Sequence, residues 1–449
     1  MEPRTKMAKR KQSAGKRSGS PAKILADASR YLMNTYRRPA LVFTRGRGCR
    51  LYDSQGREYL DFLAGIAVNA LGYAHPRIVR VIRREAGRAT HISNLFHNPY
   101  QAPVARKLAE WSGLDRVFFS NSGSEAVEGA LKLARAYAHA KTAGTDGAPK
   151  TRILAMENSF HGRTFGALSI THTPKYRAPF EPLVPGVEFV RVNDVGDLEE
   201  KFDGSVCAVV IEPIQGEGGI FPVSEAFWQR ARALATQYDA ALIADEIQSG
   251  LGRTGRYFAY QRFGENALPD IVTIAKPLAG GLPLGAFIAH EKFAGAFSPG
   301  MHGSTFGGGP LACAAALEFL NIVEEDDLLA NVRARGAELR AGLEKLGERF
   351  NFIREVRGEG LILGIDLSIE GAPFVQEALR RSLLINCTHD HILRLLPPFI
   401  IRRADVAEFL RRFEVVLSAA QKSAAKAKAA AHPPQAAAHG KPVAAAVAR

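Results

Sequence analysis

No apolar stretch of the 449-residue chain approaches the roughly 20 residues that a membrane-spanning helix requires, so an integral membrane protein is not expected. Cysteine is scarce: Cys49, Cys207, Cys313 and Cys387 are far apart and form no Cys-x-x-Cys pair. That argues against a zinc site or a disulfide framework and suits a reducing, cytoplasmic setting. Nucleotide signatures are missing as well. No Gly-x-x-x-x-Gly-Lys-Ser/Thr run occurs, and neither Gly46-Arg47-Gly48 nor Gly358-Glu359-Gly360 extends to a full Gly-x-Gly-x-x-Gly. The chain also lacks an internal repeat.

Acidic residues are missing where basic ones concentrate. Of the formal net charge of +14, residues 1–23 contribute eight Lys/Arg against one Glu, and residues 421–449 five against none, leaving the body near +2. Basicity therefore belongs to the tails, not to a nucleic-acid-binding body. Both tails have too few large apolar side chains to offset the entropy of ordering, and both are expected to be disordered. The first lacks the apolar face of a transit peptide and reads as a solvated or loosely polyanion-binding tail. Between them, 46% hydrophobic and 23% charged residues over the whole chain suit a soluble globular protein of two lobes.

The pattern along that body alternates. A short helix plus connection fills residues 24–38, followed by small strands at 41–44, 50–52 and 59–61. From residue 75 to about 289, apolar strand candidates (116–120, 152–156, 187–191, 206–211, 240–244, 271–274, 286–289) are separated by helical stretches such as 125–139 and 225–238. Near-continuous apolar strands with helical crossovers predict a mostly parallel sheet buried on both faces. Two long helices, strands at 352–356, 361–366 and 392–395, and a helix from Ala404 predict a smaller α+β lobe. In such a sheet, ligands bind at the carboxyl ends of the strands.

Chemistry-bearing residues concentrate at those ends. Lys276 follows the run Asp270–Ala275 and opens into Gly280-Gly281; burial there disfavours its ammonium, as a Schiff-base lysine needs. Asp245 ends another apolar strand, where a carboxylate needs a cation such as a protonated pyridine nitrogen. Ser122 and Glu125 have capping-box spacing at a strand-to-helix turn, which makes an anion seat suited to phosphate. In Asn158-Ser159-Phe160-His161-Gly162-Arg163, an aromatic stands ready to stack on a ring and an arginine to grip a carboxylate, whereas His161 reads as structural. Gly303-Ser304-Thr305-Phe306-Gly307-Gly308-Gly309 is a second phosphate-suited loop. Each segment alone also fits a bland role: a solvent-reaching lysine, an aspartate paired with arginine, a capped helix, a core aromatic, a linker. In this order they fit one ligand, pyridoxal phosphate.

At this point NSGSEAVEGALKLAR, FHGRT, IEPIQGEGG, ADEIQSGLGRTG, AKPLAGG and HGSTFGG resemble the signature blocks of class-III, fold-type-I pyridoxal-phosphate aminotransferases, over about residues 24–417. DFLAGIAVNALGYAHP, INCTHDHILRLLPPF and VRGEGLILGIDL look most like the acetylornithine aminotransferases. The resemblance implies a seven-stranded, mostly parallel sheet in a cofactor-binding domain (75–310). It also implies a small α+β domain (311–420) and an N-terminal segment (24–74) packed against the latter. By matching position, Lys276 would hold the cofactor and move a proton, and Asp245 would bind the ring nitrogen. Gln248 would take the ring-hydroxyl side, with Phe160 and Ile247 on the two ring faces. Gly123 and Ser124 would bind phosphate, joined by Thr305 from a partner subunit. Arg163 and Ser304 would contact substrate. Glu217 would mask Arg394 until a dicarboxylate arrives, and Glu212 would lie near the pyridine.

Departures from the family pattern are Ser124 for an alanine, Gly309 for an asparagine, and Ile66 where ornithine aminotransferases carry tyrosine. The last disfavours free ornithine. The implied reaction is transamination from N-acetylornithine to 2-oxoglutarate, a step of arginine biosynthesis, by a homodimer. Alternatives are succinylornithine, 4-aminobutyrate or ornithine transamination, or a binding protein tethered to nucleic acid by its tails.

Overall fold

A computed structural model describes residues 19–144 and 147–431, with side chains through residue 421. Chain order begins with three short antiparallel strands, β1 (Phe43–Arg47), β2 (Arg50–Asp53) and β3 (Glu58–Asp61). Then come β4 (Arg116–Ser120), β5 (Arg152–Met156), β6 (Val187–Val190) and β7 (Val206–Ile211), a two-residue hairpin β8 (Ile214–Gln215) and β9 (Phe221–Pro222), and β10 (Ala241–Asp245), β11 (Ile271–Ile274) and β12 (Gly285–Ala289). The large sheet has seven strands in the order β4-β12-β11-β10-β7-β5-β6. Only β12 runs antiparallel to its neighbours. Every residue of β7, β10, β11 and β12 is buried, which is why these segments read as unbroken apolar runs and not as alternation.

Helices cover both faces. Helix Gly123–Thr142 buries Ala126, Val127, Ala130 and Ala134 on one side. Helix Glu225–Gln237 buries Phe227, Trp228 and Ala231 on the other. Trp228 is fully buried and its indole N–H donates to the Ala267 carbonyl at 2.8 Å. Truncating such a residue costs about 3–5 kcal/mol.

The second lobe carries β13 (Ile353–Glu359), β14 (Ile362–Leu367), β15 (Leu383–Leu384), β16 (Asn386–Thr388) and β17 (Ile392–Leu395), with the antiparallel order β13-β14-β17-β16. Strand β15 instead joins the N-terminal sheet, pairing parallel with β3. Phe62 stacks on Phe409 at 4.1 Å, and the Arg50 guanidinium meets Glu408 at 2.7 Å.

Both tail boundaries differ from expectation. The ordered chain begins before residue 24, because Ser20 caps a helix Pro21–Tyr31 and accepts from the Lys23 N–H at 3.3 Å. Serine at the cap and proline in the first turn suit a helix start. At the other end helix Arg403–Ala431 continues past residue 421. Alanine and lysine are good helix formers, and extending an existing helix incurs no new nucleation cost. The rest of the expected tails, 1–18 and 432–449, lies outside the described residues.

One segment was invisible to pattern reading. Ala64, Gly65, Ile66 and Ala67 all have positive φ, between 49° and 67°, forming a left-handed turn. Such a conformation costs roughly 1–2 kcal/mol per non-glycine residue. Asp61 holds the turn's entry by accepting from the Leu63 and Ala64 amides at 2.8 and 2.9 Å and from the Tyr73 hydroxyl at 2.5 Å. Just beyond the turn, Val68 enters the wall of the cavity described next.

Candidate active site

A cavity of about 350 Å³ opens at the carboxyl ends of the parallel strands. Asn121–Ser124 follow β4, Phe160 and His161 follow β5, Glu212 follows β7, Asp245 ends β10, and Lys276 follows β11; all line it. The sheet topology therefore gathers residues that are up to 155 positions apart in sequence, counting from Asn121 to Lys276.

Lys276 is partly buried. Desolvation pulls its ammonium below the ordinary lysine value, against the opposing pull of Glu217 and Asp245. Asp245 is 3% exposed and makes two bonds. Its Oδ1 accepts from the Ile247 amide at 3.1 Å and its Oδ2 lies 2.6 Å from His161 Nδ1. Desolvation opposes protonation of His161, but the bond and charge of Asp245 outweigh it, so the imidazole is raised above its usual value. Glu212 accepts from the Phe160 amide at 3.0 Å and the Gly216 amide at 3.1 Å. Burial raises it well above the usual carboxyl range, with the Asp245 charge adding to the effect.

At the phosphate-suited turn, Ser122 caps helix Gly123–Thr142, its Oγ accepting from the Glu125 amide at 3.2 Å. The expected capping box is only half made: the Glu125 carboxylate reaches back one residue further, to the Asn121 amide at 2.9 Å. Among the described residues, neither the Gly123 nor the Ser124 amide donates to a protein acceptor, so both point free at the positive end of the helix. A Cβ on Gly123 would fall 2.8 Å from Ile247 Cδ1, so only glycine leaves room there.

Glu217 and Arg394 meet. The Arg394 guanidinium, 1% exposed, donates to Glu217 Oε1 at 2.5 Å, to Gln248 Oε1 at 3.2 Å and to the Gly216 carbonyl at 3.2 Å. Glu217 is about one-third exposed, so it is the member of the pair that can swing away. Arg163 is exposed, with its guanidinium stacked 3.7 Å over Tyr176, and its amide donates to Ser124 Oγ at 3.3 Å.

Ser304 and Thr305 are not brought to this cavity within the chain. They line a separate hollow with Asn94, Leu95 and Gln101, and Thr305 is exposed. One bond bridges the two regions, from Asn121 Nδ2 to Ser304 Oγ at 3.2 Å. Sequence reading missed what holds the glycine loop: Asn94 donates to the carbonyls of Ser304 and Gly307, and Asn98 and Gln101 to that of Gly308, at 2.8–3.0 Å. Gly309 serves as the N-cap of helix Pro310–Glu325, without a side-chain cap bond. Sequence reading took His161 as structural and did not find its bond to Asp245, although its place one residue after the stacking aromatic was a usable signal.

Similarity to known proteins agrees with this geometry. The family model for aminotransferase class-III matches residues 31–417. This chain is a member of the class-III aminotransferases. Among curated relatives, the acetylornithine aminotransferase of Caldanaerobacter subterraneus subsp. tengcongensis is 45% identical over 390 residues, 87% of this chain and 98% of that one. That of Aquifex aeolicus is 45% identical over 378 residues, 84% and 96% of the two chains. Among solved structures, the Toxoplasma gondii ME49 ornithine aminotransferase superposes with a TM-score of 0.85 at 33% identity, covering 91% of this chain and 97% of that one. The Stenotrophomonas maltophilia N-acetylornithine aminotransferase gives 0.76 at 36%, covering 88% and 99%.

The cavity of this class-III aminotransferase fits pyridoxal phosphate. A buried carboxylate, Asp245, faces the space without a cationic side chain other than His161 and Lys276 in the lining. Free helix-start amides offer an anion seat, and the amine of Lys276 enters the same 350 Å³ volume. Among the described residues, no helix is long and apolar enough to cross a membrane.

Proposed function

We propose that this aminotransferase moves the δ-amino group of N-acetylornithine to 2-oxoglutarate, giving N-acetylglutamate 5-semialdehyde and glutamate in arginine biosynthesis. The observation that carries this reading is the ion pair between Glu217, on the wall of the Lys276 cavity, and Arg394, which stands behind that wall against Glu217 and Gln248. It gives one site two charge states, as an enzyme alternating between a monocarboxylate amine donor and a dicarboxylate acceptor requires. The curated relatives named acetylornithine aminotransferase support the choice of donor.

When bound, pyridoxal phosphate supplies an aldehyde that captures the amine and a protonated ring that draws electrons from the reacting carbon. The chain does the rest. Asp245 holds the ring proton, and His161 keeps that carboxylate oriented and ionised through the 2.6 Å bond. Lys276 would hold the cofactor's aldehyde and would move a proton at the reacting carbon. Desolvation favours its free amine for that task. Gly123 and Ser124 would seat the phosphate, Phe160 and Ile247 would cover the ring, and Gln248 would serve its hydroxyl. Arg163 holds the α-carboxylate of either substrate, turning from Tyr176 to do so. Arg394 takes the second carboxylate of 2-oxoglutarate when Glu217 swings out, and Glu217 neutralises it when the donor is bound.

A homodimer completes the site in this reading, with Thr305 and Ser304 of one protomer serving the cavity of its partner. The exposure of Leu95 (86%), Phe96 (69%) and Phe306 (67%) around that loop supports a covered face.

Ornithine transamination is the second reading, favoured by the Toxoplasma gondii structural neighbour. Initial rates on N-acetylornithine, N-succinylornithine, ornithine and 4-aminobutyrate with 2-oxoglutarate decide between them. The highest kcat/KM falls on N-acetylornithine; a preference of tenfold or more for free ornithine would overturn the assignment.

A further inference from the structure

Arg253 is buried to 1% exposure in the glycine-rich loop that follows Gln248, and no carboxylate meets it among the described residues. Desolvation alone pulls its guanidinium down to about 9. Burying an unpaired cation is costly, so its geometry calls for a reason. Nη1 donates to two main-chain carbonyls of the other lobe, that of Leu361 at 3.1 Å and that of Pro397. The guanidinium also lies 4.5 Å over the ring of Phe399.

The β14–β17 ladder explains why those carbonyls need a donor. Its register pairs Leu363 with Leu395, and the Leu367 amide bonds the His391 carbonyl at the hydrogen-bonding kind of position. Such positions recur at every second residue of an antiparallel pair. Extending that register past the last paired residues, Leu363 and Leu395, brings Leu361, in the turn before β14, opposite Pro397, just beyond β17, and proline has no N–H to give. The Leu361 carbonyl is therefore left without its ladder partner, and Arg253 supplies the missing bond. The Arg253 carbonyl returns the favour by accepting from the Leu361 amide at 3.0 Å. Gly360, at φ +56°, allows this approach: a Cβ there would sit 2.8 Å from the Arg253 oxygen.

From these contacts we infer that Arg253 is a positioning residue for dicarboxylate recognition, acting as the missing rung that fixes the end of β17 against the cavity wall. Arg394 stands on β17, three residues before Pro397, which lies just past the end of that strand, and the loop that carries Arg253 starts at the Asp245–Gln248 wall that Arg394 touches. One rigid link thus spans both sides of the Arg394 contact, so loosening it displaces the guanidinium from the point where the second carboxylate must arrive. A monocarboxylate donor, which leaves Arg394 paired with Glu217, is insensitive to that displacement. This inference rests on the reading of Arg394 given above.

The test compares holoenzyme with Arg253→Met, Arg253→Lys and Pro397→Ala in steady-state kinetics on both substrates, with thermal melting as the check on folding. Arg253→Met raises the KM for 2-oxoglutarate about tenfold and that for the amine donor less than twofold, corresponding to loss of one well-placed bond. Arg253→Lys, which bridges two carbonyls poorly, shows the same split to a smaller degree and carries the test if the methionine variant fails to fold. Adding Pro397→Ala to Arg253→Met restores an N–H at the ladder position and recovers part of the 2-oxoglutarate KM. Equal shifts in both KM values, a fall in kcat alone, or no recovery in the double variant would overturn the role of Arg253. A wild-type enzyme unable to use 2-oxoglutarate would instead sink the assigned reaction.

Discussion

Glu246 tests whether burial, and not the catalytic machinery, sets the pH dependence of stability. It neighbours Asp245 but is absent from the cavity lining. Its carboxyl accepts from the Ser249 hydroxyl at 2.7 Å and the Tyr260 amide at 2.8 Å, yet it is 1% exposed. Desolvation raises it from 4.5 to about 7. A carboxyl raised in the folded state contributes stability that is fully present below its unfolded value, and that stability is lost as pH rises through the folded one. Between about 4.5 and 7 the native protein therefore holds the extra proton and loses stability with each pH step. At 1.36 kcal/mol per unit the penalty above pH 7 amounts to roughly 3 kcal/mol. Glu246→Gln removes the ionisation. The Ser249 hydroxyl can rotate to accept from the new amide, while one imperfect bond takes back about 1 kcal/mol. The net effect is a gain of about 2 kcal/mol at pH 8 and a loss of roughly 0.5 kcal/mol at pH 4.5, where the lost bond outweighs the little ionisation that is removed. Urea unfolding of wild type and variant at both pH values measures it, with kcat unchanged as a control. A gap that is the same at the two pH values, or reversed, refutes the reasoning.

Removing the His161 bond in His161→Asn lowers kcat by about 10- to 100-fold, because Asp245 loses a charge-assisted partner worth roughly 1.5–3 kcal/mol; a kcat–pH profile identical to wild type would rule this out. Glu217→Gln frees Arg394, so the KM for 2-oxoglutarate falls while that for the amine donor rises, each by about threefold to tenfold; movement of both in one direction would contradict the gating role. Mixing inactive Lys276→Ala with weakly active Thr305→Ala subunits restores activity, since one site of each hybrid dimer is then intact. Activity that stays at the weighted mean of the two would place Thr305 in its own chain's site.

Much of this was legible beforehand because it is local. Strands 116–120, 152–156, 206–211 and 271–274 were read to the residue as short apolar runs, and complete burial of 206–211 and 271–274 leaves no alternation there to confuse. Lys276 and Asp245 stood out for the same reason, as charges at the ends of such runs. The Glu217–Arg394 pair came from family resemblance, since nothing in either local segment announces a partner 177 residues away. His161 was passed over because its meaning lies in Asp245, 84 residues on. The left-handed turn at 64–67 stayed hidden because three of its four residues are ones that avoid positive φ, and the surrounding structure, through Asp61 and Tyr73, imposes it. The half-made capping box shows the limit of spacing rules: Ser122 and Glu125 are placed as the motif asks, but the glutamate finds the Asn121 amide instead.

Reduction of the holoenzyme with borohydride, followed by peptide mapping, probes the site where the cofactor is held. A pyridoxyl phosphate adduct is found on the peptide bearing Lys276, and Lys276→Ala shows neither adduct nor transamination. An adduct on another lysine, or turnover that survives Lys276→Ala, would contradict the account.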